Sequence, residues 1–177
     1  DADMNAKLGD FGLARLYEHG QHPYTTKVVG TLGYLAPEFA RTGKATTSTD
    51  VYSFSVLLLE VMTGLRPIQH TEQGEDFPLV DLVWGLYTKG AILEIVDPRL
   101  DGLFDRVQME KVLVLGLLCA HPNPTRRPSM RQVVQILANE ANLPLLTSLE
   151  YPNFASANWV FTKDNEPMDY TCIISPR

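Results

Sequence analysis

Residues 48–64 read STDVYSFSVLLLEVMTG. Thr47, Ser48 and Asp50 offer side chains that can cap a helix start, and Gly64 follows the last periodic residue, where a helix commonly ends in a left-handed turn. Between them Val51, Tyr52, Phe54, Val56, Leu57, Leu58, Leu59, Val61 and Met62 cover nearly every face. A helix that is apolar all round belongs in the middle of a domain, with other elements around it. The rest of the chain must therefore be read as cover for this helix.

The later segments supply that cover as helices. LVDLVWGLYTKG (79–90) is an amphipathic helix ending at Gly90, and AILEIVDPRL (91–100) is a short helical turn stopped by Pro98. RVQMEKVLVLGLLCAH (106–121) is a second mostly apolar helix, ended by Pro122-Asn123-Pro124. The last helix starts at Ser129, with Gln132 completing a capping box and Val133, Val134, Ile136 and Leu137 as its inner stripe. No strand is expected apart from short pairings beside Asp10. The reading is a mainly α fold.

The flanks differ in character. Residues 1–47 are punctuated by Gly9, Gly12, Gly20, Gly30, Gly33, Pro23 and Pro37, so they read as a long functional loop, with one short helical turn starting at Pro37. Residues 143–177 carry Pro144, Pro152, Pro167 and Pro176 and read as a mostly irregular tail. Its aromatic residues Tyr151, Phe154, Trp159, Phe161 and Tyr170 could dock on the body in places.

Charge and cysteine content exclude several classes. With 15 basic against 21 acidic residues, the net charge of −6 argues against nucleic acid or an anionic membrane as partner. Two cysteines, Cys119 in an apolar run and Cys172 near the end, form neither a disulfide framework nor a metal-ligand spacing. The N-terminus has no signal-peptide pattern, and the longest apolar run is too short and interrupted to span a bilayer.

The loop half carries the chemistry. Asp10-Phe11-Gly12, Gly30-Thr31, Ala36-Pro37-Glu38, Asp50 at the start of the apolar helix and Arg127 follow one another in order. That series resembles the C-terminal lobe of a protein kinase over about residues 1–141. GTLGYLAPEFARTGKATTSTDVYSFSVLLLEVMTGLRPI and LLCAHPNPTRRPSMRQVVQIL are similar to plant receptor-like serine/threonine kinases, most of all to the L-type lectin-domain group.

The resemblance implies a division into a kinase C-lobe fragment, 1–142, and the tail, 143–177. Within the fragment, 10–38 would be the activation segment and 47–142 the helical body. Asp10 would hold the magnesium that bridges the ATP phosphates, because a hard cation prefers carboxylate oxygen. Phe11 would pack beneath the site and Gly12 would allow the chain to reverse. Thr26 and Thr31 would be activation-segment phosphosites, Thr31 also resembling the threonine that contacts the catalytic aspartate; Tyr24 and Thr25 read as plain loop residues. Gly30, Thr31, Gly33 and Tyr34 would form the substrate-facing loop. Glu38 and Arg127 would make a buried ion pair, and Asp50 would accept backbone hydrogen bonds from the catalytic loop. Ser55 stands where the family commonly has Gly, and its hydroxyl can bond the carbonyl one turn back.

Only nine residues precede Asp10, so the Gly-rich loop, the ATP-binding lysine and the catalytic aspartate are absent from this sequence. The implied activity is transfer of the ATP γ-phosphate to protein Ser or Thr by the parent, with no general base here. The chain is expected to be inactive alone and to bind neither ATP nor magnesium tightly. The alternative is a non-catalytic, truncated kinase-like module. Expected partners are a protein substrate, an intact receptor-like kinase, or a second copy through exposed core. The expected location is the cytosolic side of the plasma membrane, with no direct membrane contact.

Overall fold

The computed structural model describes residues 2–3, 5–14, 30–70 and 76–146. Tyr24, Thr25 and Thr26, the aromatic residues of the tail and Cys172 lie outside them. The described elements are α1 (Pro37–Thr42), α2 (Thr47–Thr63), α3 (Leu79–Thr88), α4 (Arg106–Cys119) and α5 (Met130–Leu137), with β1 (Ile68–His70) and β2 (Asp76–Pro78) between α2 and α3. Short 3-10 turns cover Phe11–Leu13, Ile92–Ile95, Pro98–Leu100 and Pro124–Arg126.

The apolar run folds as α2, but its cap lies one residue before the expected candidates. Thr46 is in extended conformation and accepts from the amide of Thr49, while the Thr49 hydroxyl oxygen accepts from the amide of Thr46. This reciprocal box satisfies two donors that the first turn leaves open. Gly64 closes the other end at φ 68°. Ser55 is fully buried, and its hydroxyl donates to the Tyr52 carbonyl at 2.6 Å.

α2 and α4 form the centre. Gly116 of α4 lies so close to Leu59 that a Cβ there would be 2.6 Å from Leu59 Cδ2. Leu113 and Leu117 of α4 join Tyr52, Val56, Leu59, Val80 and Val83 in the larger core. Leu115 and Cys119, on another face of α4, pack with Val51, Val133 and Ile136. α4 is thus enclosed between α2, α3 and α5. Burial of each large side chain contributes about 1.5–3 kcal/mol. It also pushes the Cys119 thiol up to about 12, so Cys119 is an inert core residue.

Several expectations change. Among the described residues the strands are not beside Asp10: residues 5–14 hold only a 3-10 turn, and the described pairing forms in the α2–α3 connection. There Ile68, Gln69 and His70 pair antiparallel with Pro78, Phe77 and Asp76. Strands this short show no alternation to read, and the Leu79 amide bonding the Pro67 carbonyl at 2.8 Å closes the hairpin. On α5 only Val133 and Ile136 face inward, while Val134 and Leu137 are 60% and 39% exposed. A helix this short meets the core along one narrow line, and at 100° per residue the next positions turn away. Pro98 does not end the turn before it, which stops at Ile95, but begins a second 3-10 turn, Pro98–Leu100. Cover on α2 is incomplete among the described residues, since Leu57 and Val61 are 50% and 60% exposed.

Candidate functional site

The segment from Gly30 to Gly43 is laid along α2 by side chains from both. Residues 31–34 make a turn, with the Tyr34 amide donating to the Thr31 carbonyl at 3.2 Å. Gly33 has φ 98°, and a Cβ there would lie 2.8 Å from Pro67 Cβ, so neither the conformation nor the space admits a side chain. Tyr34 follows and donates its hydroxyl to Glu60 at 2.5 Å, while its carbonyl accepts from the Ser53 hydroxyl at 2.8 Å. Burial, then the hydrogen bond to Glu60 and its charge, push the Tyr34 hydroxyl up to about 12. Ala36 is buried, and Pro37 at the first position starts α1.

Glu38, in the first turn of α1, meets Arg127. Arg127 donates from Nη1 and Nη2 to the two Glu38 carboxylate oxygens at 2.6 and 2.7 Å. Its Nε donates to the His121 carbonyl at 2.7 Å, and Nη1 also donates to the Ser48 carbonyl at 2.8 Å. The guanidinium lies 5.0 Å from the centre of the Tyr52 ring. The Arg127 side chain is 0% exposed and that of Glu38 14%. One guanidinium therefore ties α1, the start of α2 and the loop after α4 together.

The structure does not join the remaining expected site residues to this cluster. Asp10 is exposed, has left-handed backbone at φ 57° and makes no capping hydrogen bond. Aspartate tolerates that conformation better than most residues. Its exposed carboxylate can give a magnesium ion one hard oxygen ligand, the usual protein share in a site completed by phosphate and water. No cluster of three metal-ligating side chains occurs among the described residues. Phe11, expected beneath the site, is 65% exposed, because no described element packs over it. Gly30 and Thr31 are exposed, and Thr26 lies outside the described residues. Asp50 is on the exposed rim of α2, where neighbouring atoms partly desolvate its carboxyl and raise it above the ordinary range.

Sequence reasoning missed Glu60, Ser53 and Asp81. Glu60 carried a signal, as the one charge inside the apolar run between Val51 and Met62. Ser53 carried none beyond its polarity. Asp81, in the first turn of α3, has a buried Oδ1 without a hydrogen-bond partner, and burial pushes its carboxyl up to about 6. Its charge also raises Tyr52, after the larger effect of burial. No described helix is long and apolar enough to cross a membrane.

Comparison with known proteins matches residues 1–137 to the protein kinase domain. The L-type lectin-domain containing receptor kinase IV.2 of Arabidopsis thaliana is 57% identical over 152 residues, covering 85% of this chain and 22% of the relative. The L-type lectin-domain containing receptor kinase SIT2 of Oryza sativa subsp. japonica is 47% identical over 169 residues, covering 96% of this chain and 24% of the relative. The chain thus spans about a fifth to a quarter of the length of these curated relatives. Among solved structures, the pseudokinase domain of BIR2, an immune regulator of the RLK/Pelle family, aligns with TM-score 0.54 and 34% identity, over 63% of this chain and 33% of that one. With the domain match over most of its length and the Glu38–Arg127 clasp holding a loop against a buried helix, this chain belongs to the protein kinase family.

Proposed function

We propose that the chain is the C-terminal-lobe portion of a serine/threonine receptor-like kinase, working on the cytosolic face of the plasma membrane. The observation that carries this reading is the fixed path of residues 30–42. Tyr34 is held by Glu60 and Ser53, Gly33 lies against Pro67, and Glu38 is locked by Arg127. A loop held at three points on the helical body can present a shaped surface to an extended peptide carrying the acceptor hydroxyl. Asp10 would hold magnesium, which supplies charge neutralisation to the ATP phosphates when bound. Thr26 and Thr31 would take phosphate in trans, ordering the loop by its added charge.

One carboxylate cannot both hold magnesium and orient a hydroxyl, so on this reading the 177 residues alone are expected to transfer no phosphate. The test uses the chain alone and within the longest transcript that encodes it, each with magnesium, ATP and a basic protein substrate. Transfer to Ser and Thr by the longer protein, lost in Asp10→Asn, is expected. Transfer to Tyr alone, or transfer that survives Asp10→Asn, overturns the reading. Mass spectrometry after treatment with an active receptor-like kinase should find phosphate on Thr26 before Thr63 or Thr88.

A second reading is a non-catalytic interaction module, favoured by the structural likeness to a pseudokinase domain. In that case the longer protein would also fail to transfer phosphate while still binding an intact receptor-like kinase.

A further inference from the structure

After α5 the chain does not leave the domain. Asn139 takes left-handed backbone at φ 61°, and the amides of Glu140 and Ala141 both donate to the Gln135 carbonyl, at 2.8 and 3.2 Å. The reversal is gripped from α4: Lys111 Nζ donates to the Ile136 carbonyl and, at 2.6 Å, to Asn139 Oδ1. A lysine on the last carbonyls of a helix also opposes the negative end of its dipole. From there the chain turns back across the molecule. Leu143 packs against both core clusters, so it spans the seam between them. Leu146 is 8% exposed within the larger core, and its carbonyl accepts from the Tyr87 hydroxyl of α3 at 2.8 Å. Leu145 between these contacts is 91% exposed. The protein kinase domain match ends at residue 137, before any of this.

We propose that residues 138–146 form a latch that ties α3 to the end of α5, and that it opens locally, loosening α3 without unpacking α2 from α4. The contrast between two contacts supports local opening. The latch meets α3 through the Tyr87 hydroxyl on the Leu146 carbonyl, whereas the Leu59 side chain of α2 sits so close to Gly116 of α4 that no Cβ would fit.

The test is amide hydrogen exchange on the full chain. Leu146→Asp places a charge in the core position, and Tyr87→Phe removes only the hydroxyl, which keeps the test interpretable if the first variant folds poorly. Exchange across residues 79–95 is expected to rise roughly ten- to hundred-fold in Leu146→Asp and by a smaller factor in Tyr87→Phe. Protection in residues 51–59 and 109–119 should be retained, and Leu145→Asp should change nothing. Unchanged protection of α3 in both variants overturns the proposal. So does an equal loss over α2, α4 and α5, which would make residues 143–146 ordinary core.

Discussion

Arg127 grips Glu38 through both carboxylate oxygens, at 2.6 and 2.7 Å, while its Nε and Nη1 hold the carbonyls of His121 and Ser48. The guanidinium is thereby saturated on its inner edges, in a place water does not reach. Removing one partner leaves the other charged and buried, at a cost of about 3–5 kcal/mol. Glu38→Ala and Arg127→Ala should each destabilise by that order, and the double variant by much less than their sum. Denaturant titration of the four proteins checks this, and additive losses would show that the pair is not coupled. Arg127→Lys should also fail, because a lysine cannot supply the planar fork.

Tyr34 and Glu60 make a prediction at high pH. The Tyr34 hydroxyl is held up to about 12 by burial and by Glu60, above the ordinary 10.0. In the unfolded chain it ionises first. Its contribution is therefore fully present below pH about 10 and is lost as pH rises through 12. Tyr34→Phe should cost about 1.5–3 kcal/mol at neutral pH, the range for a hydrogen bond to a charged acceptor. The variant should also flatten the alkaline loss. A wild-type melting curve that does not fall faster than the variant's between pH 10 and 12 would contradict the assignment.

The parts that were legible in the sequence are those carried by local pattern. The helix over 47–63, its glycine stop and the Ser129–Gln132 box are set by residues within a few positions of one another. Glu38 and Arg127, 89 residues apart, became legible only through resemblance, since neither spacing nor composition links them. Glu60 could have been suspected, because a lone carboxylate in an apolar helix needs a partner. Its partner Tyr34 could not be named, since that depends on how the loop crosses α2. The hairpin was hidden for a different reason: three-residue strands are too short to show a period. Burial of Asp81 depends on how α3 packs, which its own sequence does not reveal.

Asp81 works against the fold at neutral pH. Burial lifts its carboxyl to about 6, so the folded state binds a proton more readily than the unfolded chain, whose value is 3.8. Stability from this group is fully present below pH about 4 and falls as pH rises through 6. Each pKa unit is worth about 1.4 kcal/mol before solvent screening, and part of the side chain still meets water, so about 1 kcal/mol is expected. Asp81→Asn should stabilise at pH 7 and remove this dependence. A variant that is less stable than wild type at pH 7 would mean that the charge has a favourable partner.

Gly116 tests the central contact. A Cβ there would stand 2.6 Å from Leu59 Cδ2 and 2.9 Å from Leu59 Cγ. Leu59 is fully buried and cannot swing aside. Gly116→Ala improves helix propensity by about 1 kcal/mol, yet the overpacking should cost about 1–3 kcal/mol. A net loss of thermal stability is expected, and Leu59→Ala should cost less when added to Gly116→Ala than in the wild type, because it relieves the clash. A stabilised Gly116→Ala protein would show that the helices can separate freely.

The open side of α2 gives the last prediction. Leu57 and Val61 lie four residues apart on one face, 50% and 60% exposed, and half-buried Phe54 and Leu58 extend the same face along the helix. Apolar surface gathered in one patch favours association, whereas scattered side chains do not. Two copies meeting through this face would remove it from water at about 25 cal/mol for each Å² covered. The purified chain should therefore form dimers or larger species at micromolar concentration and bind ANS. Leu57→Lys combined with Val61→Lys should give a monomer without dye signal. It should leave the melting temperature nearly unchanged at low protein concentration, because neither side chain is in the core. Light scattering and dye fluorescence across a dilution series read both outcomes. A monomeric, dye-negative wild-type chain would mean that this face is already covered within a single copy.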